Sequence, residues 1–194
     1  MSIVFYINEH QMQQEISGKQ NKRQANLFLI NMVLVYAGWK AFAYYVGHSN
    51  GFAQEIWSRA IYSLEVAYAS ATSDVLSFFG ENTLSKGNSV IYPVLNKIIT
   101  VADHCLAIPA TVIFIGTILF FKGEWKDKLW FIPLGILFIV IINLIRLVFL
   151  CYTFAHFPRP YFDINHSLVY VVITYALIFL LIVWWMKKFA VRRG

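Results

Sequence analysis

A chain of 194 residues that is 59% hydrophobic, 18% aromatic and only 13% charged carries too few charges to solvate the surface of a soluble domain. Its formal net charge of +6 would suit a nucleic-acid binder in a soluble protein, but the basic residues flank hydrophobic runs, where membrane topology accounts for them and no nucleic-acid partner is implied. Two cysteines, Cys105 and Cys151, exclude a disulfide framework, and no CxxC or zinc-type spacing occurs.

The N-terminal stretch has its charges downstream of a short apolar segment and lacks a small-residue cleavage site, so it is not read as a signal peptide. Residues 1–24 are expected to be a cytoplasmic segment. The first apolar run is Ala25–Val46, interrupted by Lys40, whose long stem can snorkel to an interface. A second, Leu106–Phe121, is short, but Cys105 and the residues before it can extend the helix. Leu129–Cys151 is the clearest span, apolar except for Asn143 and Arg146. Ser167–Met186 is the last and carries no charge. The two later runs match the ~20 residues that a helix needs to cross the hydrocarbon core. The fold class expected is an all-α membrane protein of about four transmembrane helices.

Orientation follows from basic residues, which stay preferentially on the cytoplasmic side. Lys19, Lys22 and Arg23 precede the first run; Lys122, Lys126 and Lys128 fill the loop after the second; Lys187, Lys188, Arg192 and Arg193 follow the last. With four crossings these ten lie on one side, against Arg59, Lys86, Lys97 and Arg159 on the other. The outer side then holds segment 47–104. Within it Trp57, Ala60, Ile61, Leu64, Tyr68, Ala71, Val75 and Phe78 recur at helical spacing, with Arg59, Glu65, Ser70 and Asp74 elsewhere on the wheel. That predicts an outer-face amphipathic helix. Gly80–Asn88 is turn-rich, and Ser89–Asp103 reads as a short hairpin or an extended strand.

On this topology three reactive side chains, far apart in sequence, fall at similar depth on the outer side. Cys105 stands at the outer start of the second span, Arg146 five residues before the outer end of the third, and His166 at the outer start of the fourth. A thiol attacks as thiolate, a form that nearby cations favour. His166 can take the thiol proton and return it to a leaving amine. Arg146 can donate to the oxyanion of a tetrahedral intermediate in a poorly hydrated pocket. The scheme uses no cofactor and no metal. Asp103 and Asp163, beside the cysteine and the histidine, are candidates to orient the imidazole. Each residue also has a plain structural reading: an inert small thiol, a boundary histidine, and an arginine paired with Asn143 or with carbonyls. The rival functions are a non-catalytic assembly or transporter subunit with a structural arginine, and a metal site built from Cys105, His104 and His166. Cys151 lies in an apolar run and reads as an inert core residue.

The segments ITVADHCLAIPA around Cys105, NLIRLV around Arg146 and DINHSLVY around His166 resemble the exosortase/archaeosortase transpeptidases, in the order Cys, Arg, His. The resemblance covers Ile91 to the C-terminus, and the small size is similar to the short F-type exosortases of Bacteroidetes. It departs at Ala107, where many members carry glycine. The resemblance implies a single exosortase-like domain over 25–194, with Cys105 as nucleophile, His166 as acid/base and Arg146 as electrostatic stabiliser. It implies substrates that are exported proteins with a C-terminal sorting signal, and a thioester passed to an amine acceptor or to water. It also implies a multi-pass protein of the bacterial inner membrane, with its active site facing the periplasm.

Overall fold

The structure, a computed structural model, describes residues 26–27, 29–48, 51–120, 124–158, 160, 170–185 and 188. The expectations that fall on residues 1–24, Asp163 and His166 lie outside the described residues.

Five helices and one small sheet are described: α1 (Leu29–His48), α2 (Phe52–Phe78), a sheet of β1 (Leu84–Lys86), β2 (Ser89–Tyr92) and β3 (Lys97–Thr100), a 3₁₀ turn (Asp103–Cys105), α3 (Ile108–Phe120), α4 (Trp125–His156) and α5 (Tyr170–Trp185). By length and apolar composition α1 and α4 are able to cross a membrane, whereas α3 and α5 are shorter apolar helices. The described residues are therefore mostly helical, with two helices long and apolar enough to cross a membrane.

Two apolar clusters organise the fold. The first joins α3, α4 and α5 through Phe114, Phe131, Ile139, Ile178, Ile182 and Trp185. Helices meet closely there because small residues let backbones approach, the packing logic of helices that have no aqueous driving force. Gly135 of α4 faces the Phe114 ring, and a Cβ there would collide with it. Gly116 of α3 takes Val35 of α1 in the same way, with a built Cβ only 2.7 Å from Val35 Cγ1. The second cluster joins α2, the sheet and the C-terminal half of α4 through Ala69, Leu76, Val90, Tyr92, Leu147 and Cys151.

At 32 residues α4 belongs to both clusters. Its length is about 48 Å at the usual rise, against roughly 30 Å of hydrocarbon. The span expected to end at Cys151 thus continues to His156, and its last turns are covered by the sheet. Lys97 Nζ donates to the carbonyls of Phe154 (3.1 Å) and Ala155 (2.6 Å), satisfying acceptors left open at a helix C-terminus. His156 meets Glu81 at 3.0 Å on the same end.

The hairpin alternative for Ser89–Asp103 is the one observed. β2 and β3 pair antiparallel, Val90 with Ile99 and Tyr92 with Lys97, and β1 adds to the other edge of β2. Val90 and Tyr92 point to the core while Ser89 and Ile91 are half-buried, the two-residue period of a strand with one covered face. Gly87, at φ 58°, opens the two-residue turn between β1 and β2, a conformation that glycine adopts without steric cost.

The amphipathic helix expected within segment 47–104 is present as α2. Glu65, Ala69, Thr72, Ser73 and Leu76 are the buried residues, while Leu64 and Phe78 are exposed. Small and polar residues make the close contact, and Glu65 turns inward to accept from Asn88 Nδ2 at 2.9 Å. A helix beside lipid can leave apolar side chains outward and pair its polar ones within the protein.

Candidate active site

Cys105 closes the 3₁₀ turn rather than extending α3, which corrects the expectation that the cysteine would sit inside the second span. The local sequence explains the break. A helix continued through this point would need the residue 109 amide to donate to the Cys105 carbonyl, and Pro109 has no N–H. The chain instead turns at Ala107, in the left-handed region at φ 52°, and α3 begins from there, with the Thr111 amide donating to the Ala107 carbonyl at 3.0 Å.

The Cys105 carbonyl finds its partner on another helix. Asn143 of α4 donates from Nδ2 at 2.7 Å. Both residues are buried: Asn143 is 0% exposed and Cys105 4%. Cys105 and Leu106 pack in the second cluster and Ala107 in the first, so this turn lies at the seam between the two. The Tyr68 phenol of α2 stands beside the Asn143 side chain; burial pushes its titration above the usual range, partly offset by that amide. Three elements therefore meet at one carboxamide: the cysteine turn, α2 and α4.

Arg146 follows Asn143 by three residues, about 4.5 Å further along the helix and on nearly the same face. It is 8% exposed, and its Nε is a buried donor without a hydrogen-bond partner among the described residues. Among the described residues no carboxylate closes an ion pair on it. Asn143 Oδ1 is likewise buried and unpartnered, so the two side chains do not satisfy one another. Because α4 runs ten residues beyond Arg146, the guanidinium sits well beneath the covered helix end and not close under it as expected. Tyr175 of α5 lies within electrostatic reach of Arg146 and of Tyr36 on α1.

The structure thus brings Cys105 against the stretch of α4 that carries Arg146. Asp103 and His104 turn outward and contact each other at 3.2 Å, with side chains 74% and 65% exposed, away from the buried thiol side. Cys151 is buried in the same cluster as Cys105, and both thiols are free. Asn143 and Tyr68 are the site residues that sequence reasoning passed over. The signal for the first was available: an amide inside an apolar span requires a partner, and that partner need not be the nearest polar residue in sequence.

No curated protein and no solved structure matched the chain. The family model for transmembrane exosortases matches residues 24–184, which includes the cysteine turn, α4 and all of α5 but its last residue. With that match spanning most of its length, the chain belongs to the transmembrane exosortase family.

Proposed function

We propose that this protein is a membrane-embedded cysteine protease and transpeptidase that cleaves the C-terminal sorting signals of exported proteins. The observation that carries the proposal is the pairing of a buried thiol turn with a helix that buries an unpartnered guanidinium donor one turn away. An unsatisfied buried donor costs about 1–3 kcal/mol, more when charged, and a fold that keeps one a helical turn from the residue holding the cysteine turn has a use for it when an anion forms there.

In the reaction, Cys105 Sγ attacks the scissile carbonyl carbon as His166 takes the thiol proton, forming a C–S bond and placing the electron pair on the carbonyl oxygen. Arg146 donates to that oxyanion. The intermediate collapses, the C–N bond breaks, and His166 returns the proton to the departing amine. The thioester is then attacked by an amine acceptor, or by water, with His166 accepting the new proton. Four crossings of the bacterial inner membrane, with the basic residues inside, put this chemistry on the periplasmic side.

The test is to trap the acyl-enzyme. The protein co-expressed with a protein bearing a candidate sorting signal should yield a thioester adduct by mass spectrometry. Cys105→Ser should change that adduct to an ester or remove it, and Cys105→Ala should abolish it while the protein still inserts. Processing that persists in the alanine variant would favour a non-catalytic assembly role.

A further inference from the structure

We propose that Asn143 is a positioning residue for the nucleophile, holding the Cys105 turn through its carbonyl and so setting where the thiol points. This rests on the reading of Cys105 as nucleophile.

Three observations carry it. Pro109 removes the amide that would bond the Cys105 carbonyl if the chain were helical, so this acceptor requires a partner from elsewhere. Asn143 Nδ2 supplies it at 2.7 Å, across 38 residues of sequence, from a side chain with no exposed surface. The turn's own backbone bonds, from the Cys105 amide to the Ala102 carbonyl at 2.8 Å and from the Leu106 amide to the Asp103 carbonyl at 3.1 Å, leave the Cys105 carbonyl to Asn143, and the chain passes directly into Ala107 at φ 52°, a conformation costing about 1–2 kcal/mol for an L-residue. Released from Asn143, residues 105–107 have a local incentive to relax, and the thiol moves with them. The same carboxamide has the Tyr68 phenol of α2 beside it, a second element that restrains where Asn143 points. An amide used only for packing would not need this arrangement, since leucine has nearly the same shape and no polar atom to desolvate.

Asn143 does not touch the scissile bond in this scheme; it acts through Cys105. The two effects separate in measurement. The full chain is prepared in lipid bilayers with Cys151→Ala, so that Cys105 is the sole thiol. In this background Asn143→Leu keeps shape and removes the donor, and Tyr68→Phe removes only the brace. Three quantities are read: the rate of Cys105 alkylation by iodoacetamide against pH, kcat and KM on a sorting-signal substrate, and Tm.

Asn143→Leu is expected to lower kcat about 10²-fold with KM within twofold, the scale on which small misplacements of reacting groups act. The midpoint of the alkylation profile should shift by half a pH unit or more, because the thiol no longer keeps its fixed relation to the Arg146 side of α4. Tyr68→Phe should shift both in the same direction by less. An alkylation profile superimposable on the parent's, in Asn143→Leu or, should that variant fail to insert, in Tyr68→Phe, overturns the proposal. So does a fall in kcat accompanied only by a lower Tm. Alkylation needs no turnover, so a parent protein that cleaves nothing would refute the proposed function while the shift, or its absence, still decides the role of Asn143.

Discussion

Ala107 shows how much conformational constraint one position near the thiol carries. At φ 52° its Cβ is unfavourably placed, and the departure from glycine noted in the sequence falls on a residue where glycine is the less strained choice. Ala107→Gly is expected to stabilise the protein by about 1 kcal/mol, read as a rise in Tm of a few degrees, because relief of the left-handed strain outweighs the extra freedom of the unfolded chain. A fall in Tm would mean that the Ala107 methyl, itself 8% exposed, contributes more by packing than its backbone costs. Arg146 is the second informative residue. Lysine there keeps the charge but loses the Nε donor and the planar fork, so Arg146→Lys is expected to lower kcat by about 10²-fold or more with a smaller change in KM. Equal activity of the two would show that charge alone suffices and that the unpartnered Nε has no role in turnover.

Among the elements, α4 and the sheet depend on each other. The helix supplies the apolar wall against which Val90 and Tyr92 pack, and the sheet returns Lys97 to the carbonyls at the helix end. Tyr92 is the weak point of that joint, for its hydroxyl is buried with no partner. Burial, with the nearby Cys151, Glu81 and Tyr152, pushes its titration far above the usual range. A proton held more tightly in the folded than in the unfolded state gives stability that is intact below the unfolded value of about 10 and lost as pH rises above it. Tyr92→Phe should therefore flatten the fall in Tm above about pH 10 and, by removing an unsatisfied polar atom, leave neutral-pH stability unchanged or about 1 kcal/mol higher. A variant that loses several kcal/mol would reveal a partner for this hydroxyl. The helix α2 carries a different lesson. Its stripe of apolar residues was legible as a period, but which stripe packs depends on whether lipid or water lies outside, and a period does not record that.

For the whole molecule, the outstanding question is sidedness. Ten basic residues against four argue that the sheet faces out and the α3–α4 loop faces in. In a protein lacking Cys105 and Cys151, single cysteines at Ser85, on the exposed strand β1, and at Lys126, at the start of α4, give opposite expectations. An impermeant maleimide applied to spheroplasts should label the first and spare the second until the membrane is opened. The reverse pattern would invert the topology and put the cysteine turn on the cytoplasmic side.

The membrane class, the principal apolar runs and the family were readable from the chain alone, and the hairpin was one of two readings of Ser89–Asp103, because hydropathy, strand period and short motifs are local properties that survive without coordinates. The break before α3 is also local in origin, since Pro109 has no N–H to carry the helix back through Cys105. What required the fold was pairing across distance. That Asn143 serves Cys105 and not Arg146, that Glu65 faces Asn88, and that α4 outruns the bilayer to be capped by Lys97 are decided by which buried polar groups find one another when helices pack. In an apolar medium an unpaired polar group is expensive, so every such group must choose a partner, and the choice is made in three dimensions.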